Sequence, residues 1–528
     1  MKKGIVIGIM ISMSTAVLAA PLYNKAAYIP SQCYTKTKDK NGDVHNPCYS
    51  CHIGSKEPNY TNDWDLQLGY TFPPYAFKNR WKNLFKDRTK EVDAMLDSEI
   101  EAYVKTDNYM DENHTILLAK RLGKSWQGYV PDCYFAFDEE GFDKTPEGNF
   151  TGWRAFGYTP FLGTFWPTNG SMDDVLIRLP KLFRQDSKGR FSKEVYQINL
   201  LIVEALIKQK DIKTFVIDEK KYGVDLDKDG RLDKAEKIRF EYDVPRGKKM
   251  FYVGKAKESG AKIAAGLYPK GTEFLHSVRY LDSDANGTIM IAPRMKELRY
   301  GVKNQWADYN RHQSVAEAEH RERLRYPDRM ERFLVDEARG VSNRRGWRYQ
   351  GFIEDAKGDL RPQTKEETLF CIGCHSALGS VVDSTFAFSR KLEKGDYHDG
   401  WYHWGQKGLK GIAEPKRVDG KYEYTTYLKE NHAGDEFRAN DEVKKKFFDT
   451  HGTLKPEKIQ ALHHDISLLL LPSTKRAMML NKAYKVIVDE QSFIYGRDAH
   501  VKPLKEVHET LKEGESTGVK KPVRYEFK

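Results

Sequence analysis

The pattern of apolar and polar positions along the chain predicts helices separated by long irregular stretches. Apolar residues between Ile198 and Ile207 recur with the 3.6-residue period of an amphipathic helix. Three further segments have the apolar spacing or the charge of helices: residues 90–104, 116–122 and 316–337. The last of them is so rich in charged residues that we expect it to be exposed to solvent.

The stretch from residue 136 to 180 follows a different pattern. Aromatic residues, Gly and Pro alternate there every few positions, as in Gly152–Tyr158 and Gly163–Pro167. Because Gly and Pro interrupt a helix, we expect an ordered wall built from loops.

Two copies of Cys-X-X-Cys-His carry the clearest chemistry in the sequence. They are Cys48-Tyr49-Ser50-Cys51-His52 and Cys371-Ile372-Gly373-Cys374-His375. In this pattern the two thiols bond to a haem and the histidine binds its iron. With 6 Cys and 15 His in 528 residues, the last two letters follow a given Cys by chance at a frequency of roughly 0.0003. The sequence therefore predicts two covalently bound haem c groups.

Two other chemistries use similar cysteine pairs. A zinc site would need a second Cys/His pair near each motif, but the motifs lie 323 residues apart. A thioredoxin-like redox pair would need a βαβ context, which neither flank provides. Haem attachment is the interpretation that both motifs favour.

These motifs divide the chain and give a predicted fold class. We expect a mainly α protein with extensive loops and a minor α+β part, in which a middle region with a calcium loop separates two haem-binding segments. The predicted divisions are a signal peptide at 1–19, an N-terminal haem segment at 20–135, an aromatic-rich middle region at 136–364 and a C-terminal haem segment at 365–528.

The first residues predict export. Lys2 and Lys3 precede an apolar run, Gly4–Val17, and small residues at Ala19 and Ala20 offer a cleavage site. The run is shorter than the ~20 residues of a membrane span, and no later segment approaches that length. Since no Cys follows the cleavage site, we expect no lipid anchor. The predicted location is the periplasm, with an extracellular location as the alternative.

The net positive charge of the chain indicates which kinds of partner it could bind. The formal net charge of +11 falls to +9 when Lys2 and Lys3 leave with the signal peptide, and four haem propionates would offset more of it. No basic stripe interleaved with aromatic residues is present, so the sequence does not predict nucleic-acid binding. An acidic periplasmic redox protein or a small anionic substrate fits the excess of positive charge better.

Two cysteines lie outside the motifs. In an oxidising compartment spare cysteines commonly pair, so we expect a disulfide between Cys33 and Cys133. The alternative is that Cys133 is a reactive thiol or an iron ligand.

Residues 225–236 have the pattern of an EF-hand calcium loop. The predicted ligands are Asp225, Asp227, Asp229, the carbonyl oxygen of Arg231, Asp233 and Glu236. Gly230 stands where the loop needs a sharp turn, and a solvated acidic turn is the alternative interpretation. A similar loop begins at Asp282, but its twelfth position is Pro293, so we predict a plain turn there.

The second axial ligands decide whether each haem only carries electrons or also binds a substrate. For the first haem the candidates are Met95 and Met110, with His45 and His114 competing. For the second haem the candidate is His463, which faces inward on a helix predicted around residues 459–470. His398 and His403 are the alternative ligands, or catalytic acid–base groups.

The two motifs resemble those of c-type cytochromes, in particular the dihaem proteins. Dihaem cytochrome c peroxidases and MauG-type proteins are also exported, hold two haems and commonly bind calcium between them. The resemblance implies roles for Cys48, Cys51, His52, Cys371, Cys374 and His375. Peroxidase-like chemistry is what this resemblance implies by analogy.

The size of the chain favours an enzyme. It uses about 250 residues per motif, whereas a small domain needs on the order of 100. We therefore expect an oxidoreductase in which one haem relays electrons and the other, at the C-terminal motif, binds a small substrate. The alternative is a non-catalytic electron-transfer protein that docks other redox proteins.

Overall fold

A large antiparallel sheet is the main feature of the computed structural model, which describes residues 22–39, 41–395, 398–431 and 440–524. The predicted signal peptide lies outside these residues. The strands are β1 Phe142–Lys144, β2 Phe150–Ala155, β3 Met172–Asp173, β4 Leu176–Arg178, β5 Ile212–Asp218, β6 Lys234–Ile238, β7 Glu273–Ser283, β8 Ile289–Lys303, β9 Val335–Asp336, β10 Gly340–Ser342, β11 Trp347–Glu354 and β12 Leu360–Pro362.

Ten of these strands form one sheet. Their order is β1-β2-β4-β7-β8-β11-β10-β9, with β3 paired to β7 and β12 paired to β11, while β5 and β6 form a separate pair. The long strands β7 and β8 are antiparallel and lie at the centre. The turn that joins them includes Asp284, whose carboxylate accepts the backbone N–H groups of Asn286 and Thr288. The plain turn predicted after Asp282 is confirmed.

Helices surround the sheet, most of them in the C-terminal third. They are α1 Thr89–Ala94, α2 Asp97–Lys105, α3 Leu117–Arg121, α4 Lys193–Lys208, α5 Lys255–Glu258, α6 Tyr309–Arg325, α7 Lys365–Leu369, α8 Ala387–Arg390, α9 Trp404–Lys407, α10 Glu423–Asn431, α11 Asp441–Phe447, α12 Pro456–His464, α13 Ser467–Leu470 and α14 Thr474–Glu490.

The amphipathic period located α4 correctly, and Ser192 caps its first turn by accepting the Val195 N–H. Other predicted helices are shorter than their patterns. The segment 90–104 is divided between α1 and α2, and the charged run stops at Arg325 because Pro327 follows. The segment 459–470 breaks at Asp465, whose backbone is extended.

The predicted fold class is wrong. The structure is about 32% helical and 19% strand and contains a ten-stranded sheet, so it is not mainly α. Charged residues conceal the strand pattern of β8 in the sequence. Arg294 lies 2.6 Å from Glu354, and Arg299 lies 3.0 Å from Glu297, and all four side chains are largely buried. Paired charges therefore occupy positions where an alternation of apolar residues would have indicated a strand.

The hydrophobic core crosses the predicted divisions of the chain. Its largest cluster includes Ala26 near the start, Ile202 of α4 and Leu511 near the end. Every strand of the sheet falls within the middle region 136–364. Among the described residues no helix is both long and apolar enough to span a bilayer.

A buried ion pair attaches the segment after the second motif to the sheet. Lys303 at the end of β8 contacts Asp383, and neither side chain is exposed. The Asp383 carboxylate also accepts the backbone N–H of Tyr268 at 2.9 Å and lies 3.5 Å from His312 of α6. Lys303 holds the pKa of Asp383 below its usual range, against the effect of burial.

We predict that Lys303→Met destabilises the fold by about 3–5 kcal/mol, because the Asp383 carboxylate would remain buried without its cation. Reversible unfolding in guanidinium chloride measures the change. The double variant Lys303→Met/Asp383→Asn should recover part of the loss, since an amide costs less to bury than a charge. Equal loss in both variants would contradict the assignment of the effect to an unpaired charge.

Candidate functional site

Both Cys-X-X-Cys-His motifs line a single cavity, although 323 residues separate them. The cavity has a volume of about 1390 Å³, above the ~300–1,000 Å³ usual for a pocket that binds one small ligand. All six motif residues named from the sequence reach its wall: Cys48, Cys51, His52, Cys371, Cys374 and His375. The fold therefore brings together two segments whose proximity the sequence did not indicate.

The two motifs have the same backbone conformation. Each begins as a short 3₁₀ turn, at Cys48–Ser50 and Phe370–Gly373. In each, the backbone N–H of the histidine donates to the carbonyl of the first cysteine at 3.0 Å, for His52 and for His375. One turn thus presents two thiols and an imidazole on the same side of the chain.

Each motif histidine is fixed through one ring nitrogen. Nδ1 of His52 lies 2.8 Å from a carboxylate oxygen of Asp63, and Nδ1 of His375 lies 3.2 Å from the carbonyl oxygen of Ser384. No hydrogen bond to either Nε2 occurs within the described parts of the chain. A histidine that binds a metal through one nitrogen usually donates the other N–H to an oxygen of this kind. Both rings are therefore oriented as neutral Nε2 ligands would be.

The segments that follow the two motifs are hydrogen-bonded to each other. Asp63 accepts the backbone N–H of Gly379 at 3.2 Å in addition to His52. The Ser380 N–H donates to the carbonyl of Cys51 at 3.3 Å, and the Asn59 amide donates to two carbonyl groups beyond the second motif. The Asp63 side chain is 3% exposed. Its hydrogen bonds are therefore shielded from solvent, which favours a single arrangement of the two segments.

Gly379 is required by this close approach. A Cβ placed on it would lie 2.0 Å from the carbonyl oxygen of Ile53 and 2.7 Å from Asp63. Backbone atoms cannot move aside as a flexible side chain can, so a larger residue would separate the two segments.

A further histidine, His276, lines the same cavity, and it was not among the residues predicted from the sequence. His276 lies in the middle of β7, and its Nδ1 is 2.8 Å from the carbonyl oxygen of Asp174. Burial lowers the pKa of His276 to about 4. Within the described residues its Nε2 has no hydrogen bond. A single histidine in a strand belongs to no spaced motif, so no pattern in the sequence points to it.

The predicted catalytic histidines lie elsewhere or are not described. His403 is outside the cavity wall: its Nε2 is 3.0 Å from Asp174, and its Nδ1 accepts the Gly405 N–H. Both ring nitrogens are therefore engaged in contacts outside the cavity, and the catalytic role predicted for His403 stays a prediction. The backbone of His398 lies in a short turn, and its side chain lies outside what the structure describes.

The three predicted distal ligands also do not line the cavity. Met95 packs beside a cluster around α14, and Met110 packs against a different cluster around Tyr109. His463 stacks on Tyr422 with 3.6 Å between ring centroids and lies 3.7 Å from Glu414. The helical spacing predicted that His463 would face inward, and its side chain is indeed largely buried, although its neighbours are the Tyr422 ring and the Glu414 carboxylate.

The predicted Cys33–Cys133 disulfide is not formed. Both residues are unbridged thiols in different parts of the core. Cys33 lines the cavity, and burial raises the pKa of its thiol to about 12. Cys133 is fully buried near Asp143, and burial raises its pKa strongly. Neither is a reactive thiolate at neutral pH.

Three ionisable groups in the cavity wall have pKa values moved toward neutrality by burial: Lys296, Asp173 and Glu331, each at about 7. The Lys296 ammonium donates to the carbonyl of Gly170 at 2.6 Å, and the Tyr158 hydroxyl donates to Asp173. Groups with such pKa values can both accept and release protons near pH 7.

The acidic loop 225–236 differs from the predicted EF-hand. A strand, β6, follows the loop in place of a helix, and Glu236 is exposed on that strand. The carboxylates that converge, within 4.8 Å of one another, belong to Glu219, Asp225 and Asp227. The predicted ligands Asp229, Arg231 and Asp233 are not part of this group. The EF-hand identification is wrong, and calcium binding as such stays a prediction.

Comparison with known proteins gives a family. A family model described as a "-like lipoprotein" matches residues 17–463. An uncharacterized lipoprotein of Aquifex aeolicus (strain VF5) is 32% identical over 581 aligned positions, which cover 97% of this chain and 93% of that protein. No solved structure matches the chain. The chain belongs to this lipoprotein family.

This result corrects the resemblance drawn from the motifs. The matching family is a lipoprotein family and not that of the dihaem c-type cytochromes or their peroxidase and MauG-type relatives. The names of the family and of the relative give no support for classifying the chain as a cytochrome c, a haem-binding protein or an EF-hand protein. A lipoprotein family does indicate export and a membrane anchor. The anchor was not expected from the sequence, and the periplasm stays a prediction.

We predict that Gly379→Ala destabilises the protein by about 1–3 kcal/mol, because its methyl group would overlap the Ile53 carbonyl. Gly69→Ala is the matched control, since a Cβ there meets only Glu515 at an ordinary 3.7 Å. Chemical unfolding of both variants measures the difference. A control that loses as much stability as Gly379→Ala would show that the junction does not need a glycine.

Proposed function

From its place in this lipoprotein family and the geometry of its cavity, we propose that the chain is an exported redox protein that attaches two haems in one cavity. Cys48 and Cys51 would hold one haem, and Cys371 and Cys374 the other. His52 and His375 would be the iron ligands. We place this function in the periplasm, where its redox partners would meet the cavity.

One observation carries the proposal. Two motifs far apart in the sequence adopt the same turn, line the same cavity and leave the same nitrogen of their histidines without a hydrogen bond in the described residues. A pair of cysteine motifs with only structural roles would not need matching imidazoles oriented by buried acceptors. The arrangement is what two iron ligands of neutral imidazole require.

The size and wall of the cavity suit such a cofactor. Its volume exceeds that of a pocket for one small ligand, and aromatic side chains such as Tyr349 and Phe386 flank His375. Lys296, which is buried, and Arg299, which is partly buried, both lie in the wall and could bind carboxylates such as haem propionates. When bound, haem supplies an iron that accepts and donates single electrons.

The protein itself would contribute position and protons. Because both motifs open onto one cavity, electrons could pass between the two cofactors inside a single chain. Asp173 and Lys296 could supply protons to a small substrate, since each has a pKa of about 7 and lies in the wall. This combination favours an oxidoreductase over a simple electron carrier.

Covalent attachment is tested by mass and by the alkaline pyridine assay for haem. We expect the protein, expressed with a haem-attachment system, to carry two haems. Cys374→Ser and Cys51→Ser should each weaken attachment at one site only, because the other motif is intact. Cys33→Ser is the matched control: its thiol lines the same cavity but belongs to no motif, so both haems should remain. A wild-type protein without added mass would overturn the proposal.

Exogenous ligands separate an enzyme from an electron carrier. We expect carbon monoxide, added to the reduced protein, to bind one of the two irons, because a substrate site needs an open coordination position. Absorption spectra titrated against the gas measure the bound fraction. If neither iron responds, the chain is an electron-transfer protein that docks other redox proteins.

A further inference from the structure

We propose that His276 would be a third iron ligand, at the haem held by the second motif. This inference rests on the proposed function, because it needs a haem at the second motif. Nothing in the sequence pattern assigned a role to this residue, and the distal ligands expected from the sequence lie away from the cavity.

The strand that carries His276 turns one face to the cavity. Phe274, His276 and Val278 alternate along β7, and all three line the cavity wall. Alternate residues of a strand lie on the same face, so the imidazole projects from a rigid element of the central sheet. A ligand on a strand is held more precisely than one on a loop.

The ring of His276 is fixed as the rings of the two motif histidines are. Its Nδ1 donates to the Asp174 carbonyl at 2.8 Å, and within the described residues its Nε2 makes no hydrogen bond. The acceptor is a carboxylate for His52 and a carbonyl group for His276 and His375. In all three rings the proton is on Nδ1, which leaves Nε2 as the nitrogen that can bind a metal. His52, His276 and His375 thus share one arrangement inside one cavity.

Asp174 is itself held by several donors. Its carboxylate accepts the backbone N–H of Ser277 at 2.6 Å, the Ser277 hydroxyl, and Nε2 of His403 at 3.0 Å. The residue is 1% exposed. His403 therefore acts as a positioning residue that stabilises the support of His276, which gives a role to a histidine that does not reach the cavity.

His276 is close to His375. Both residues line the same cavity, and their rings are near enough to interact electrostatically. The other cavity histidine outside the motifs, His320 of α6, is exposed, and its Nδ1 lies 3.5 Å from Arg323. Among these two, His276 alone combines a buried support with proximity to the second motif.

An iron with two histidine ligands has no open position. If His276 were a ligand at the second motif, a small substrate would have to bind at the haem held by the first motif. This reverses the order expected from the sequence, in which the C-terminal haem was the reaction centre.

The test compares His276→Ala with His320→Ala in the haem-loaded protein. We expect His276→Ala to keep two covalent haems by mass but to convert one from low spin to high spin in electron paramagnetic resonance spectra. Added imidazole should restore the low-spin signal, because it can occupy the space left by the side chain. His320→Ala should have the spectrum of the wild-type protein.

A second variant guards against misfolding. His276→Met keeps a side chain that can bind iron, and it should shift the near-infrared charge-transfer bands of one haem. If either folded variant retains the wild-type spectrum, His276 is not a ligand, although both haems remain. Absence of haem from the wild-type protein would instead be a failure of the proposed function, and the mass measurement distinguishes the two results.

Discussion

A single buried carboxylate joins the two halves of the cavity. Asp63 accepts a hydrogen bond from the ring of His52 and another from the backbone of Gly379, beyond the second motif. A charge buried this deeply is stable only when donors surround it, so the two motif segments can occupy one relative position and few others. The orientation of His52, the spacing of the motifs and the shape of the cavity all depend on that position.

The sheet fixes the opposite wall in a comparable way. β7 and β8 carry His276, Lys296 and Arg299 into the cavity, and the buried contact of Lys303 with Asp383 attaches the chain after the second motif to the end of β8. Ser384, the next residue, supplies the carbonyl that orients His375. The Lys303–Asp383 ion pair therefore stabilises the fold and also positions the Ser384 carbonyl beside the ring of His375.

The sequence predicted single elements better than architecture. The period of α4 and the turn after Asp282 were sufficient to identify those elements, whereas the shared cavity of the six motif residues was not predicted. The sheet was missed because paired charges replace apolar residues along β8, and a pattern of single residues does not show which charges are paired. The EF-hand identification failed because an acidic loop pattern does not specify the elements that flank it.

The spacing of residues along the chain could not predict which distant side chains meet. Cys33 and Cys133 were expected to pair because they are the two cysteines outside the motifs, but they lie in separate clusters of the core. His276 was invisible because its significance comes from Asp174 and His375, which are about one hundred residues away on either side. The position of His403 behind Asp174 could likewise not be read from its aromatic neighbours in the sequence.

The separation of the motifs also has a consequence for biogenesis. Translation at about 5–20 residues per second places roughly 16 to 65 s between the synthesis of the first and second motifs. During that interval the strands of the sheet are still being made, and Gly379 and the final segment, whose Val523 N–H donates to Gln67, have not been made. The cavity around the first motif can therefore close only after most of the polypeptide has been made.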